Sequence, residues 1–128
     1  MKKLLIAAVL ACAPSAVFAA DLSGAWNVNG SFDSLGVKYS SACKWTQDAH
    51  GALGGTCKGT ASEDAATTGT VTTGADGKTV VEFAYDTTYQ GSPVHLDYKG
   101  AVQGDGTITG AVDAGGAQGT FTAAAVKP

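Results

Sequence analysis

Apolar and polar residues alternate along this chain in short runs, and glycine-rich turns separate the runs. The fragments SGAWNV, GGTCKG, TGTVTT, TGAVDA and QGTFTA share one order: glycine, a small residue, then an apolar residue or cysteine. No stretch keeps a helical repeat for three turns. A period of two between turn signals predicts an all-β domain. The expected strands cover about 22–32, 37–48, 52–60, 67–74, 78–88, 93–103, 107–113 and 118–126. Eight antiparallel strands in a meander can remove their open edges by closing into an up-and-down β-barrel.

Turn arithmetic fixes a register that can be checked. If Ala49-His50-Gly51 is a three-residue loop closed by glycine, Asp48 faces Ala52, Cys43 faces Cys57 and Trp45 faces Gly55. Loops at 75–77 and 104–106 place Val71 opposite Val81 and Val102 opposite Ile108. A Gln90-Gly91 turn sets Phe83, Tyr85 and Thr87 against Tyr98, Leu96 and Val94. A loop over 33–36 sets Trp26 against Cys43 and Phe32 against Val37. Apolar faces apolar in every hairpin, and a slip by one residue would turn each strand inside out. Asn29-Gly30, a second turn signal, is the weakest point of this register.

The first 19 residues read differently. Lys2 and Lys3 precede an apolar run from Leu4 to Ala13, Pro14 breaks it, and Val17-Phe18-Ala19 offers a cleavage site before Ala20. The run is too short for a membrane span. A secretory signal peptide over 1–19 is expected, with a single domain over 20–128 and a periplasmic or secreted destination. Val9-Leu10-Ala11-Cys12 is a weaker rival, in which Cys12 would carry lipid. Cleavage before Ala20 leaves two cysteines, Cys43 and Cys57, an even pair in an exported chain, which implies a disulfide.

Cleavage also removes two of the eight lysines, leaving six cations against eleven carboxylates and a net charge near −5. The chain has no arginine. Nucleic acid and anionic membrane surfaces are therefore poor partners, and no membrane insertion is expected after cleavage.

Gly24-Ala25-Trp26, within Asp21-Leu22-Ser23-Gly24-Ala25-Trp26, resembles the Gly-x-Trp start of lipocalins and the Leu-x-Gly-x-Trp start of avidins. Gly51-Ala52-Leu53-Gly54-Gly55-Thr56 is similar to the Gly-x-Leu-x-Gly-Thr hairpin of avidin-type barrels. The resemblance implies a calycin-like barrel over 20–128, with a ligand entrance at one end. Both tryptophans, Trp26 and Trp45, come early, whereas avidins draw theirs on biotin from later strands. The resemblance thus speaks for the barrel rather than for biotin.

Alternate turns fall at opposite ends of such a barrel. One end carries the tight loops 49–51, 75–77 and 104–106. The other carries 33–36, 60–67, 89–92 and 113–118, which read as longer and more varied, as binding loops are. Inward residues nearest that end are Phe32, Val37, Tyr39, Ser41, Tyr85, Thr87, Val94, Leu96 and Phe121. Tyr39 and Tyr85 would put hydroxyls into an apolar lining, which is how small-molecule pockets set orientation. The rival reading is an interior filled with side chains, since eight strands are only just wide enough to be filled.

Other chemistry is sparse. His95 faces Asp86 on the outward side, next to Glu82 opposite Lys99, and cross-strand charge pairing explains both. Ser92 points away from His95, so no Ser-His-Asp arrangement forms. His50 is far from His95, which leaves no two-histidine metal site. Hairpin chemistry accounts for Asp76-Gly77 and Asp105-Gly106 without calcium. No cofactor and no catalytic group is expected. The expected role is an extracytoplasmic binding barrel for a small apolar or aromatic ligand. The alternative is a protein–protein module, such as a protease or lysozyme inhibitor, using loops 33–36, 60–67 and 113–118 or the segment Ala20 to Ser23.

Overall fold

Period-two alternation builds strands here because each inward residue finds an inward partner on both neighbours. The computed structural model describes residues 21–59 and 64–126. Its strands are β1 (Gly24–Phe32), β2 (Val37–Gln47), β3 (Ala52–Lys58), β4 (Asp64–Thr73), β5 (Thr79–Tyr89), β6 (Ser92–Val102), β7 (Ile108–Ala114) and β8 (Ala117–Ala125). Each pairs antiparallel with the next, and β8 pairs back onto β1, giving a closed barrel. The expected signal peptide and Cys12 lie outside the described residues.

The register follows the turn arithmetic. Trp26 faces Cys43 and Phe32 faces Val37. Cys43 faces Cys57, and Trp45 faces Gly55. Val71 faces Val81. Phe83, Tyr85 and Thr87 face Tyr98, Leu96 and Val94. Val102 faces Ile108. Asn29-Gly30 is not a turn: it runs through the middle of β1, paired on both sides. The disulfide Cys43–Cys57 joins directly facing residues, with Cα atoms 4.0 Å apart. Closing a loop of this size stabilises a fold by about 3 kcal/mol on the chain-entropy account.

One expectation about the loops is corrected. β4 begins at Asp64, not near Thr67, and Ala65, Ala66 and Thr67 pair with Cys57, Thr56 and Gly55. β7 and β8 run on until only Gly115 and Gly116 separate them, where 113–118 read as a loop. Both glycines have positive φ, at 63° and 105°, as a two-residue hairpin turn requires. Asp33–Leu35 is a single 3-10 turn closed by Gly36 in the left-handed region. Strand propensity depends on context, so alanine-rich segments that read as loop are strand where the barrel supplies partners on a neighbouring strand.

The inside is apolar. Trp26, Val28, Trp45, Leu53, Val81, Phe83, Tyr98, Ile108 and Phe121 are all buried. Inward glycines leave space for the large rings. Phe83 faces Gly69, Tyr39 faces Gly30, and Phe121 faces both Gly30 and Gly110. A Cβ at Gly30 would overlap the Tyr39 ring, and one at Gly69 would overlap the Glu82 carbonyl. The glycine content is therefore partly a packing feature of the lumen.

The outer wall carries Lys38, Lys44, Glu82, Asp97 and Lys99 along the strands, all exposed. Polar outside and apolar inside is the reverse of a membrane-spanning barrel. No helix among the described residues is long and apolar enough to cross a membrane.

Candidate functional site

The two ends of the barrel are finished differently. At the tight-turn end Leu22 folds under the barrel and is buried. Its N–H donates to Gln47 Oε1 at 2.9 Å, and its carbonyl accepts the Trp26 indole N–H at 2.8 Å. Ser23 Oγ accepts the Gln47 N–H. The segment before β1, considered above as a contact surface, thus plugs this end with Leu22.

The opposite end holds a cavity of about 340 Å³. Phe32, Val37, Tyr39 and Ser41 line it from β1 and β2; Tyr85, Thr87, Val94 and Leu96 line it from β5 and β6. Eight of the nine residues singled out from the sequence therefore meet around one space. The ninth, Phe121, does not. It sits deeper, edge-on to Phe83 and Tyr98, with ring centroids 5.9 and 5.0 Å away. The interior is thus filled in its lower part and hollow in its upper part.

The floor of the cavity is polar. Tyr39 on β2 and Tyr98 on β6 are on opposite walls, yet their hydroxyls meet across the lumen at 2.6 Å. Tyr98 also bonds the Tyr85 hydroxyl at 2.8 Å, and Tyr85 bonds Ser41 Oγ at 2.8 Å. These four hydroxyls form a crossbar. Burial pushes the Tyr39 phenol up to about 12 and moves Tyr85 and Tyr98 upward as well. All three rings are neutral phenols at physiological pH, each able to donate and to accept.

The mouth is apolar. Leu35, 61% exposed, and Tyr89, 51% exposed, both line it. Lys38 is the one charged side chain among the lining residues, and Ser40, Gly59, Thr88, Ala114 and Ala117 complete the wall. Sequence reasoning passed over Leu35, Tyr89 and the crossbar role of Tyr98. A leucine inside an Asp-Ser-Leu-Gly turn, and a tyrosine beside Gln-Gly, were the available signals for the mouth.

Two further hollows lie on the outer wall, around Glu82, Asp97 and Lys99 and around Asn29, Lys38 and Thr122. Both are open troughs between exposed polar rows. His95 also lies outside, between Asp86 at 2.6 Å from Nδ1 and Asp97 at 3.2 Å from Nε2. The hydrogen bond to Asp86, then the charge of Asp97, raises the His95 pKa. Asp97 was not foreseen as its second partner. Among the described residues, no three His, Cys, Asp or Glu side chains gather where a metal ion could be held.

Comparison with protein-family models, curated proteins and solved structures finds no match for this chain. The functional reading rests on the geometry of the site.

Proposed function

We propose that this protein is an extracytoplasmic binding barrel of calycin-like type, taking a small apolar or aromatic molecule into the open end. One observation carries the reading. Of the three large apolar residues exposed among the described ones, two, Leu35 and Tyr89, stand at the mouth of the apolar cavity. Exposing apolar side chains at an entrance is unfavourable for the empty protein and favourable once a ligand covers them. The plugged opposite end suits a container with one door. The disulfide and the expected signal peptide support an oxidising compartment outside the cytoplasm.

The test is uptake of N-phenyl-1-naphthylamine, a neutral dye that brightens in apolar surroundings. The wild type should bind it with saturation, and Val94→Trp, which fills the cavity from β6, should weaken binding at least tenfold. A wild type that leaves the dye dark, or a Val94→Trp protein that binds as well as the wild type, rules out this site.

A further inference from the structure

The hydrogen bonds on the cavity floor can be counted. Tyr39, Tyr98, Tyr85 and Ser41 stand in series, joined by three contacts of 2.6, 2.8 and 2.8 Å. Each hydroxyl has one proton to donate. Four donors serve three contacts, so one O–H is left over whichever way the chain is polarised. Leaving it on Tyr98 is costly, because that ring is buried and does not line the cavity. The spare O–H therefore falls to Tyr39, Tyr85 or Ser41, which do line it. Water can accept this bond while the cavity is wet. A purely apolar molecule that expels the water strands the donor, and a buried donor without an acceptor is unfavourable.

Charge is a worse match for the floor than no polarity at all. An anion there would meet one spare donor, where a buried carboxylate needs several, and no cation beside it. An ammonium would meet no anion. The nearest formal charge in the lining is Lys38, on a strand position that points outward. The upward-shifted tyrosines show that the same surroundings already disfavour a charge.

Resting on the reading of this cavity as the ligand site, we propose that its ligand is an uncharged amphiphile with one neutral hydrogen-bonding group at the buried end. That group, a hydroxyl or a carbonyl, takes the spare O–H of the crossbar. The apolar body lies above it, toward Leu35 and Tyr89.

Three probes built on one tolyl group separate the cases: toluene, p-cresol and p-toluate, each titrated against isotope-labelled protein and followed by amide chemical shifts. p-Cresol should shift residues around Tyr39, Ser41 and Tyr85, and should bind at least tenfold tighter than either of the others. Equal binding of toluene and p-cresol overturns the spare-donor argument while leaving the pocket in place. Tightest binding by p-toluate overturns the exclusion of charge. No shift at these residues with any probe overturns the pocket reading itself.

Tyr98→Phe adds a readout that simple packing would not move. It cuts the crossbar into Tyr39 alone and a Tyr85–Ser41 pair, which together leave two spare donors instead of one. The advantage of p-cresol over p-toluate should shrink at least threefold, although residue 98 does not line the cavity. An unchanged ratio in a folded variant overturns the count. Should Tyr98→Phe not fold, the wild-type series decides alone.

Discussion

The closed end and the open end of this barrel start from the same strands and differ in what the strands carry inward. At the closed end two indoles stack with centroids 5.4 Å apart, and Leu22 seals the lumen beneath them. The turns there repeat one device. The carboxylates of Asp48, Asp76 and Asp105 each accept the backbone N–H of the residue two positions on, His50, Lys78 and Thr107. At the open end the inward rings bear hydroxyls, the wall residues shrink to Ser41, Val94, Ala114 and Ala117, and the mouth keeps apolar side chains in water. One end is stabilised by complete burial. The other keeps unfilled volume and a polar floor. Closure and register come from the whole sheet, so an incompletely filled end is tolerated where the other end is plugged.

The sharpest way to break this contrast is to truncate a leucine at each end. Leu22→Ala removes the plug and should destabilise the protein by about 3 kcal/mol, within the usual range for a buried leucine. Leu35→Ala removes an exposed side chain and should change stability by less than about 0.5 kcal/mol, while weakening dye uptake. Denaturant midpoints and dye titrations on both variants check this. Equal loss of stability at the two ends would mean that Leu35 is part of the core rather than of a doorway.

A second pair asks how tightly the open half is built despite its cavity. Gly30 lies beneath the Tyr39 ring, and a Cβ there would overlap it. Gly30→Ala should cost about 2 kcal/mol, as overpacking commonly does. It should also displace one end of the crossbar and so reduce the preference for p-cresol. Gly54, on β3 in the closed half, has nothing nearer than 4.0 Å to such a Cβ. Gly54→Ala should therefore be within about 0.5 kcal/mol of the wild type. A tolerated Gly30→Ala would show that Tyr39 moves freely and that the crossbar is not fixed.

These two ends were unequally legible in the sequence. The strand register was readable because a period of two leaves only two facings, and apolar residues chose between them at Trp26, Cys43, Trp45, Val71 and Phe83. The disulfide followed from the same arithmetic. The open end was located for a partly mistaken reason. Its connections read as long, but β4 starts at Asp64 and β8 at Ala117, because pairing with neighbouring strands overrides the weak strand propensity of alanine. What marks that end is Leu35 and Tyr89. The crossbar was not legible, since Tyr39 and Tyr98 are not on neighbouring strands. Their meeting depends on the stagger of the closed barrel, which sets the heights of opposite walls and which no single hairpin reveals. Phe121 was misplaced for the same reason: its facing was right and its depth was not.

The smallest effects expected separate the two halves by the direction of their pH dependence. Asp48, at a closed-end turn, has its carboxyl held below the usual 3.8, first by the backbone N–H of Ala52 and then by that of His50. A depressed carboxyl contributes stability above its unfolded pKa and loses it as pH falls through the folded value. His95, on the outer wall of the open half, is raised above 6.5 by its hydrogen bond to Asp86 and by the charge of Asp97. A raised histidine does the opposite. Its contribution is complete below about 6.5 and is lost as pH rises through the folded value. Both groups are exposed, so solvent screening keeps each effect small. Thermal midpoints of wild type, Asp48→Ala and His95→Ala across about pH 2 to 9 give the comparison. The gap between wild type and Asp48→Ala should be widest near neutrality and close toward acid. The gap for His95→Ala should be widest near about pH 5 and close toward alkali. If both gaps close in the same direction, His95 is not held by its two aspartates in solution, and its place between them contributes nothing to the open half.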